Sequence, residues 1–317
     1  MKQGKVRDTI LKRSVINLIN YKNSMVVQGA GVGRDCSVID VGDRYILTST
    51  EVSAENDIIG PEHAVIKAAN NIAACGGTPV SASVAFVLPC KYVEKRLKEL
   101  TRRVQSGCVK CGIQLAGGHT ELSEGVEHDI VSVTVTGVCE KASYKSLSDV
   151  KPGMDIVVSK WIGLEGTVSL LNNRSEELLK RLPENYVSLA ADFKDWLTIM
   201  TEAAVAGKHG VKAMHDISDG GIFAALWDLS ECAGCGIEID LKAIPIKQET
   251  VEFCEIFDIN PYMMKSSGSL IMVTDDGRGL LEALNEAGIS ATIIGKTMDN
   301  NDKKIINGSE IRYLDKP

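Results

Sequence analysis

Apolar residues along the chain recur at two periods. Ile10, Leu11, Val15 and Leu18 fall on one side of a helical wheel and predict a first helix over 8–19. Two short strands follow, Ser37–Val41 and Tyr45–Thr48, joined by the hairpin signal Gly42-Asp43. Pro61 suits the first turn of a helix, where its missing N–H costs nothing; that helix runs to Ala74 and stops at Gly76-Gly77. Val80, Ala82, Val84, Phe86 and Leu88 alternate as a strand does. Val93, Leu97, Leu100, Val104, Cys108 and Cys111 recur at spacings of three and four, a helical stripe. Val131, Val133 and Val135 alternate with Ser132, Thr134 and Thr136 as another strand.

The polar, turn-rich stretch Ser143–Gly153 predicts a domain boundary, which divides the chain into 1–146 and 147–317. The second half restarts with a strand at Asp155–Ser159, a helical region over roughly 175–209, and a strand into His215. A helix begins at Gly220-Gly221 and ends near Gly234. Ile237 and Ile239 mark a strand, Glu249–Phe257 a helix, Ser269–Val273 a strand, Gly279–Ala287 a helix and Ala291–Ile294 a strand. Strands and helices interleave in both halves, so the expected fold class is α+β or α/β, not all-α or all-β.

Length agrees with two domains, since 317 residues exceed the usual single-domain size. Apolar residues at 44% and charged residues at 24% describe a folded chain. The formal charge of −7 argues against a nucleic-acid binder, which carries a basic face. Nine cysteines in so long a chain lack the density of a secreted disulfide scaffold, so a cytoplasmic setting is expected. No apolar run approaches a membrane span, and no membrane partner is expected. The N-terminus lacks the apolar core of a signal peptide.

Common nucleotide motifs fail when tested literally. Gly29-Ala30-Gly31-Val32-Gly33-Arg34 ends in Arg and leads into a strand, so it is no dinucleotide fingerprint. Gly295-Lys296-Thr297 resembles the end of a P-loop, but Ser290 stands where the first Gly belongs. No Gly-x-Ser-x-Gly elbow anchors a serine hydrolase.

What remains is a set of acidic and Gly-rich turns: 31–39, 48–51, 69–79, 116–121 and 214–221. Hard oxygen ligands on them, Asp35, Glu51, Glu121, Asp216 and Asp219, suit Mg²⁺, which bridges protein carboxylates and substrate phosphates. Glycines there let backbone N–H groups approach phosphate oxygens. The helix that starts at Gly220 adds its positive end, although Asp219 equally suits its N-cap.

The order of these five motifs resembles the aminoimidazole ribonucleotide (AIR) synthase superfamily. That superfamily includes thiamine-monophosphate kinase, selenophosphate synthetase and the HypE-type hydrogenase-maturation protein. Asp216-Ile217-Ser218-Asp219-Gly220-Gly221 resembles the Asp-x-Ser-Asp-Gly turn of thiamine-phosphate kinases. Asp57–Pro79, and Ile244-Pro245-Ile246 through Asp258-Ile259-Asn260-Pro261, are most similar to the hydrogenase-maturation branch. The resemblance implies an N-terminal domain that dimerises through its strands, a C-terminal α+β domain, and ATP with Mg²⁺ in the cleft between them. It further implies activation of an acceptor oxygen by phosphorylation, with the acceptor, small molecule or protein, left open. Carried over by position, Asp35, Glu51, Glu121 and Asp216 are the metal candidates. Gly31, Gly33, Asp35, Asn71, Gly117, Gly118, Gly220 and Gly221 are the nucleotide candidates. Asp216, Asp219 and His119 are the catalytic candidates.

Departures from the family pattern keep alternatives open. Position 51 is Glu and position 71 Asn where relatives usually carry Asp, and His119 stands where an acid is common. Asn supplies only a neutral carbonyl, so metal affinity falls with the lost charge. His119 could contact a phosphate, work in acid–base chemistry, or simply be packed. The Pro-x-x-Cys tail of the hydrogenase-maturation enzymes is not matched, since the last cysteine is Cys254, and their thiocarbamate chemistry is not carried over. A catalytically degenerate nucleotide-binding or maturation-partner protein is therefore the alternative. The pairs Cys108/Cys111 and Cys232/Cys235 are too far apart for a zinc ribbon and read as buried thiols, with a Cys-bound metal carrier as the weakest reading.

Overall fold

In the computed structural model, which describes residues 6–54 and 60–316, each half of the chain builds its own sheet. The first contains β1 (Val26–Gln28), β2 (Ser37–Asp40), β3 (Arg44–Ser53), β4 (Thr78–Pro89), β5 (Gln114–Ser123) and β6 (Ile130–Glu140), in spatial order β1-β2-β3-β6-β4-β5. Helix α1 (Asp8–Ser14) precedes it, and α2 (Gly60–Ala74) and α3 (Glu94–Cys111) cover one face. The alternation along β6 shows why. Val131, Val133 and Val135 meet Val65, Ala68, Ile72, Leu100 and Val104 of the helices, while Ser132, Thr134 and Thr136 face away. Burying each such aliphatic side chain contributes about 1.5–3 kcal/mol.

The second sheet contains β7 (Asp155–Ser159), β8 (Ala213–Ile217), β9 (Gly236–Asp240), β10 (Ser269–Thr274), β11 (Ala291–Met298), β12 (Lys303–Asn307) and β13 (Glu310–Tyr313), in order β13-β12-β9-β11-β7-β10-β8. Its helices are α4 (Leu164–Leu179), α5 (Glu184–Leu189), α6 (Met200–His209), α7 (Gly221–Ala233), α8 (Gln248–Phe257) and α9 (Gly277–Glu286). Both faces of the central strands are covered. Ile156, Val158, Ile271 and Val273 pack towards α7, whereas Val157, Leu270 and Met272 pack towards α6 and α9. That explains why β7 and β10 read as unbroken apolar runs.

Helix α2 joins the halves. Its last residues, Ala73 and Ala74, belong to the second domain's core, and Asn70 clamps that domain directly. The Asn70 amide donates to the Leu197 carbonyl at 2.9 Å and accepts from the Ile199 N–H at 3.1 Å. So α2 is buried all round, with a polar stripe at His63, Lys67, Asn70 and Asn71.

Several elements differ from the periodicity reading. The first helix ends at Ser14 and continues as a 3₁₀ turn over Ile16–Leu18. The strand at 45–48 runs on to Ser53, which places Glu51 on β3. The helical region at 175–209 is three pieces. Arg174 leaves helical geometry with φ −134°, and Pro183, which cannot donate to a preceding turn, restarts the chain as α5. Residues 116–121 form no turn but most of β5, an exposed edge strand held in parallel to β4. β1, β12 and β13 were not anticipated. Asp57 lies outside the described residues.

Candidate active site

Five elements meet where the two halves face each other. On β3, Leu47, Ser49 and Glu51 share the face turned to α2, so Glu51 lies beneath Lys67 and Asn71. Asn71 Nδ2 donates to Ser49 Oγ at 2.9 Å and to Glu51 Oε1 at 3.3 Å. Lys67 Nζ reaches Asp219 Oδ2 at 2.7 Å and Glu51 Oε2 at 3.7 Å. Lys265 Nζ stands 3.8 Å from Asp219 Oδ1.

Strand β8 sends adjacent side chains to opposite faces. His215 points towards α7, where its Nε2 lies 3.9 Å from Asp228 Oδ2, and its Nδ1 lies 2.9 Å from Asp35 Oδ2 of the first domain. Burial works against the imidazolium, but the Asp35 carboxylate outweighs it, and the His215 pKa is raised to about 9. Asp216 points the other way, towards α2. It is 3% exposed, and neither carboxylate oxygen has a hydrogen-bond partner. Burial first, and then the charge of Asp35, push its pKa well above the carboxylate range. A buried carboxylate with both oxygens unsatisfied is costly unless a cation or donor arrives.

Two glycines shape the surroundings. Gly33 adopts φ +66°, and a Cβ there would meet Cys232 Sγ and Asp228 Cβ of α7, so the 29–35 loop lies directly on that helix. Gly221 adopts φ +66° at the start of α7, and a Cβ would meet the carbonyls of Tyr262 and Met264. The 29–35 loop, Cys75, Tyr144 and Met214 line a groove of about 1010 Å³ that borders Asp35. Small-molecule sites typically enclose ~300–1,000 Å³.

The structure brings together Asp35, Glu51, Asn71, Asp216 and Asp219, with Gly31 and Gly33 on the groove and Gly220 and Gly221 opening α7. It does not bring in the 117–121 group. Gly117, Gly118, His119 and Glu121 are exposed on β5, where His119 Nε2 pairs with Glu121 Oε2 at 3.2 Å. Sequence reading missed Lys67 and His215. The polar stripe on α2, with Lys67 four residues before Asn71, was the available signal for the first. The four CxxC cysteines divide between the two cores: Cys108 and Cys111 sit with the first, Cys232 and Cys235 with the second.

Mg²⁺ fits part of this arrangement. Among the described residues, no three His, Cys, Asp or Glu side chains converge to hold a metal ion. Of the candidate acids described, Asp216 has both buried oxygens without a hydrogen-bond partner, which suits an ion that arrives on phosphates and needs one or two carboxylates. Asp35 is engaged by His215, and Glu51 and Asp219 by Lys67, so they are not open ligands here.

Comparison with known proteins matches this two-domain arrangement. The model for the N-terminal domain of AIR synthase related proteins matches residues 33–139, and the model for the C-terminal domain matches 151–307. The chain belongs to the AIR synthase related family. Family relatives include carbamoyl dehydratase HypE of Rhodobacter capsulatus, 24% identical over 81% of this chain and 74% of that protein. Selenide, water dikinase of Escherichia coli K12 is 29% identical over 76% of this chain and 67% of its own length. Among solved structures, the HypE–HypF complex gives a TM-score of 0.80 at 19% identity, covering 97% of this chain and 99% of the other. The hydrogenase maturation protein HypE in complex with ATP gives 0.70 at 15% identity, covering 100% and 96%. The family fold is thus an α+β pair of domains, as observed. Among the described residues, no helix is long and apolar enough to cross a membrane.

Proposed function

We propose that this chain is an ATP-dependent enzyme that activates an acceptor oxygen by phosphoryl transfer, in the cleft between its two domains. The observation that carries the proposal is Asp216: a buried carboxylate with two unsatisfied oxygens on the strand that leads into α7, close enough to Asp35, at the end of the Gly-rich 29–35 loop, to feel its charge. ATP is supported by a family relative solved with that nucleotide.

Phosphoryl transfer depends chiefly on positioning and charge neutralisation, and this chain's residues provide both. Backbone N–H groups of the 29–35 loop and of the first turn of α7 would be the donors to the phosphates, and the helix end adds partial positive charge. Lys67, which is buried, and Lys265, which is partly exposed, supply positive charge on the two oxygens of Asp219. Mg²⁺, when bound with the nucleotide, would be held by Asp216 and would neutralise charge on the phosphates. His215 fixes Asp35 and so holds the 29–35 loop against the second domain.

A homodimer is part of the proposal. Among the described residues, no layer covers the face of the first sheet opposite α2, which carries Thr50, Val52, Ser83 and Thr134, and β5 ends the sheet as an exposed edge. A second copy packed there would cover that face, and one that also reached β5 would protect its edge. The acceptor, small molecule or protein, is to be found by assay.

ATP consumption by the purified chain, measured against a panel of hydroxyl, carboxamide and selenide acceptors with Mg²⁺, tests the reading. Turnover with an oxygen acceptor, lost in Asp216→Asn, is the expected result, and turnover with selenide alone would overturn the acceptor-oxygen reading. Tight ATP binding with no turnover on any acceptor favours the degenerate alternative, for which the neutral Asn71 beside Glu51 is the specific observation.

A further inference from the structure

Lys67 stands inside a ring of acids. Its side chain is 10% exposed, its Nζ lies 2.7 Å from Asp219 Oδ2 and 3.7 Å from Glu51 Oε2, and Glu165 adds a third negative charge. These carboxylates come from three separate places: β3, the start of α4, and the turn before α7. Other contacts to them are donors as well. Asn71 gives an N–H to Glu51 at 3.3 Å, Ser267 gives its hydroxyl to Glu165 at 2.7 Å, and Lys265 approaches Asp219 at 3.8 Å. Acids gathered from distant segments around one point need a positive charge there, because like charges in a poorly hydrated site repel strongly.

That point is taken by an ammonium on the buried α2. Asp216 differs from the other acids. It faces the same region, feels the charges of Lys67 and Glu51, and yet keeps both oxygens unpartnered. So the site holds two unlike cation demands, one already met by the chain and one left open.

We propose that Lys67 is a built-in cation that takes the place of a divalent ion between Glu51 and Asp219, leaving Asp216 as the acid that still calls for one. The proposal deepens the nucleotide site described above, and its charge argument holds whether or not the chain turns ATP over. An ammonium differs from a metal ion in consequence. It cannot be chelated, it is always present, and it does not exchange with the bulk.

The test counts ions in the full-length chain without nucleotide. Mn²⁺ binding is titrated by electron paramagnetic resonance in wild type and in Lys67→Met, and both are melted in chelator and in Mn²⁺. The expected result is one additional Mn²⁺ per chain in Lys67→Met, with a melting temperature depressed in chelator and recovered by Mn²⁺. Adding Asp219→Asn to Lys67→Met removes both the extra ion and the chelator sensitivity. Equal Mn²⁺ counts in wild type and Lys67→Met overturn the proposal. If Lys67→Met folds only when Mn²⁺ is supplied, the result is the same in stronger form. If neither Mn²⁺ nor Asp219→Asn recovers it, Lys67 serves packing and not charge, and the proposal fails. ATP binding is measured separately; its loss in wild type would remove the nucleotide reading and leave the Mn²⁺ comparison standing.

Discussion

His215 Nδ1 lies 2.9 Å from Asp35 Oδ2, a part-buried pair that joins the last turn before β2 to the strand carrying Asp216. The two residues are 180 positions apart in sequence, so this contact forms only when the domains dock. It holds the groove-lining 29–35 loop in place and sets the charge felt by Asp216.

The pair makes stability depend on pH. The His215 pKa rises from 6.5 to about 9 on folding, so the folded state binds the proton more tightly. Its contribution is fully present below about pH 6.5 and is lost as pH rises through 9. A shift of that size corresponds to about 3 kcal/mol. His215→Gln is expected to flatten urea-derived stability between pH 6.5 and 9 relative to wild type. An unchanged slope in the variant would place the titration elsewhere.

Asp216 has the same sign from the opposite charge type. Its raised pKa means that stability falls as pH climbs above the ordinary carboxylate range. Asp216→Asn removes a buried charge without removing volume, so its melting temperature at pH 8 should exceed that of wild type while nucleotide-dependent activity disappears. A lower melting temperature for the variant would show that the carboxylate is already well satisfied in the folded protein.

Gly33 cannot be replaced cheaply. Its left-handed backbone and the contact with Cys232 and Asp228 together predict a loss of about 1–3 kcal/mol for Gly33→Ala, measured by chemical denaturation. Gly117→Ala, with no atom within 4 Å of the added Cβ, serves as the control and should change little.

The open face of the first sheet predicts an oligomer. Thr134 lies at its centre, bonded to Thr50 across the strands at 2.9 Å. Thr134→Arg places a charge on that face and should convert a dimer to monomers in light scattering behind a sizing column. A dimer unaffected by the change would move the interface to another surface.

Periodicity found the elements whose faces are sorted by burial. α3 and β6 are examples, because a stripe or an alternation survives wherever one side meets a core. It failed on β5, where Gly117 to Leu122 are exposed on both faces and no apolar alternation is selected. It also merged α4 to α6, since short helices broken by Arg174 and Pro183 keep a helical composition. Asp35, Asp216 and Asp219, the candidates that the structure draws together, stand in local turn motifs, and turn chemistry is legible in a sequence. Lys67 and His215 were not legible, since each derives its meaning from carboxylates far away in sequence.

Calorimetric titration of Mg²⁺·ATP into wild type and into Asp216→Asn tests the central claim most directly. Binding to wild type at one site per chain, weakened at least tenfold in a variant that stays folded, is the predicted result. Equal affinity in the two proteins, or no binding to either, would contradict a nucleotide site built around Asp216.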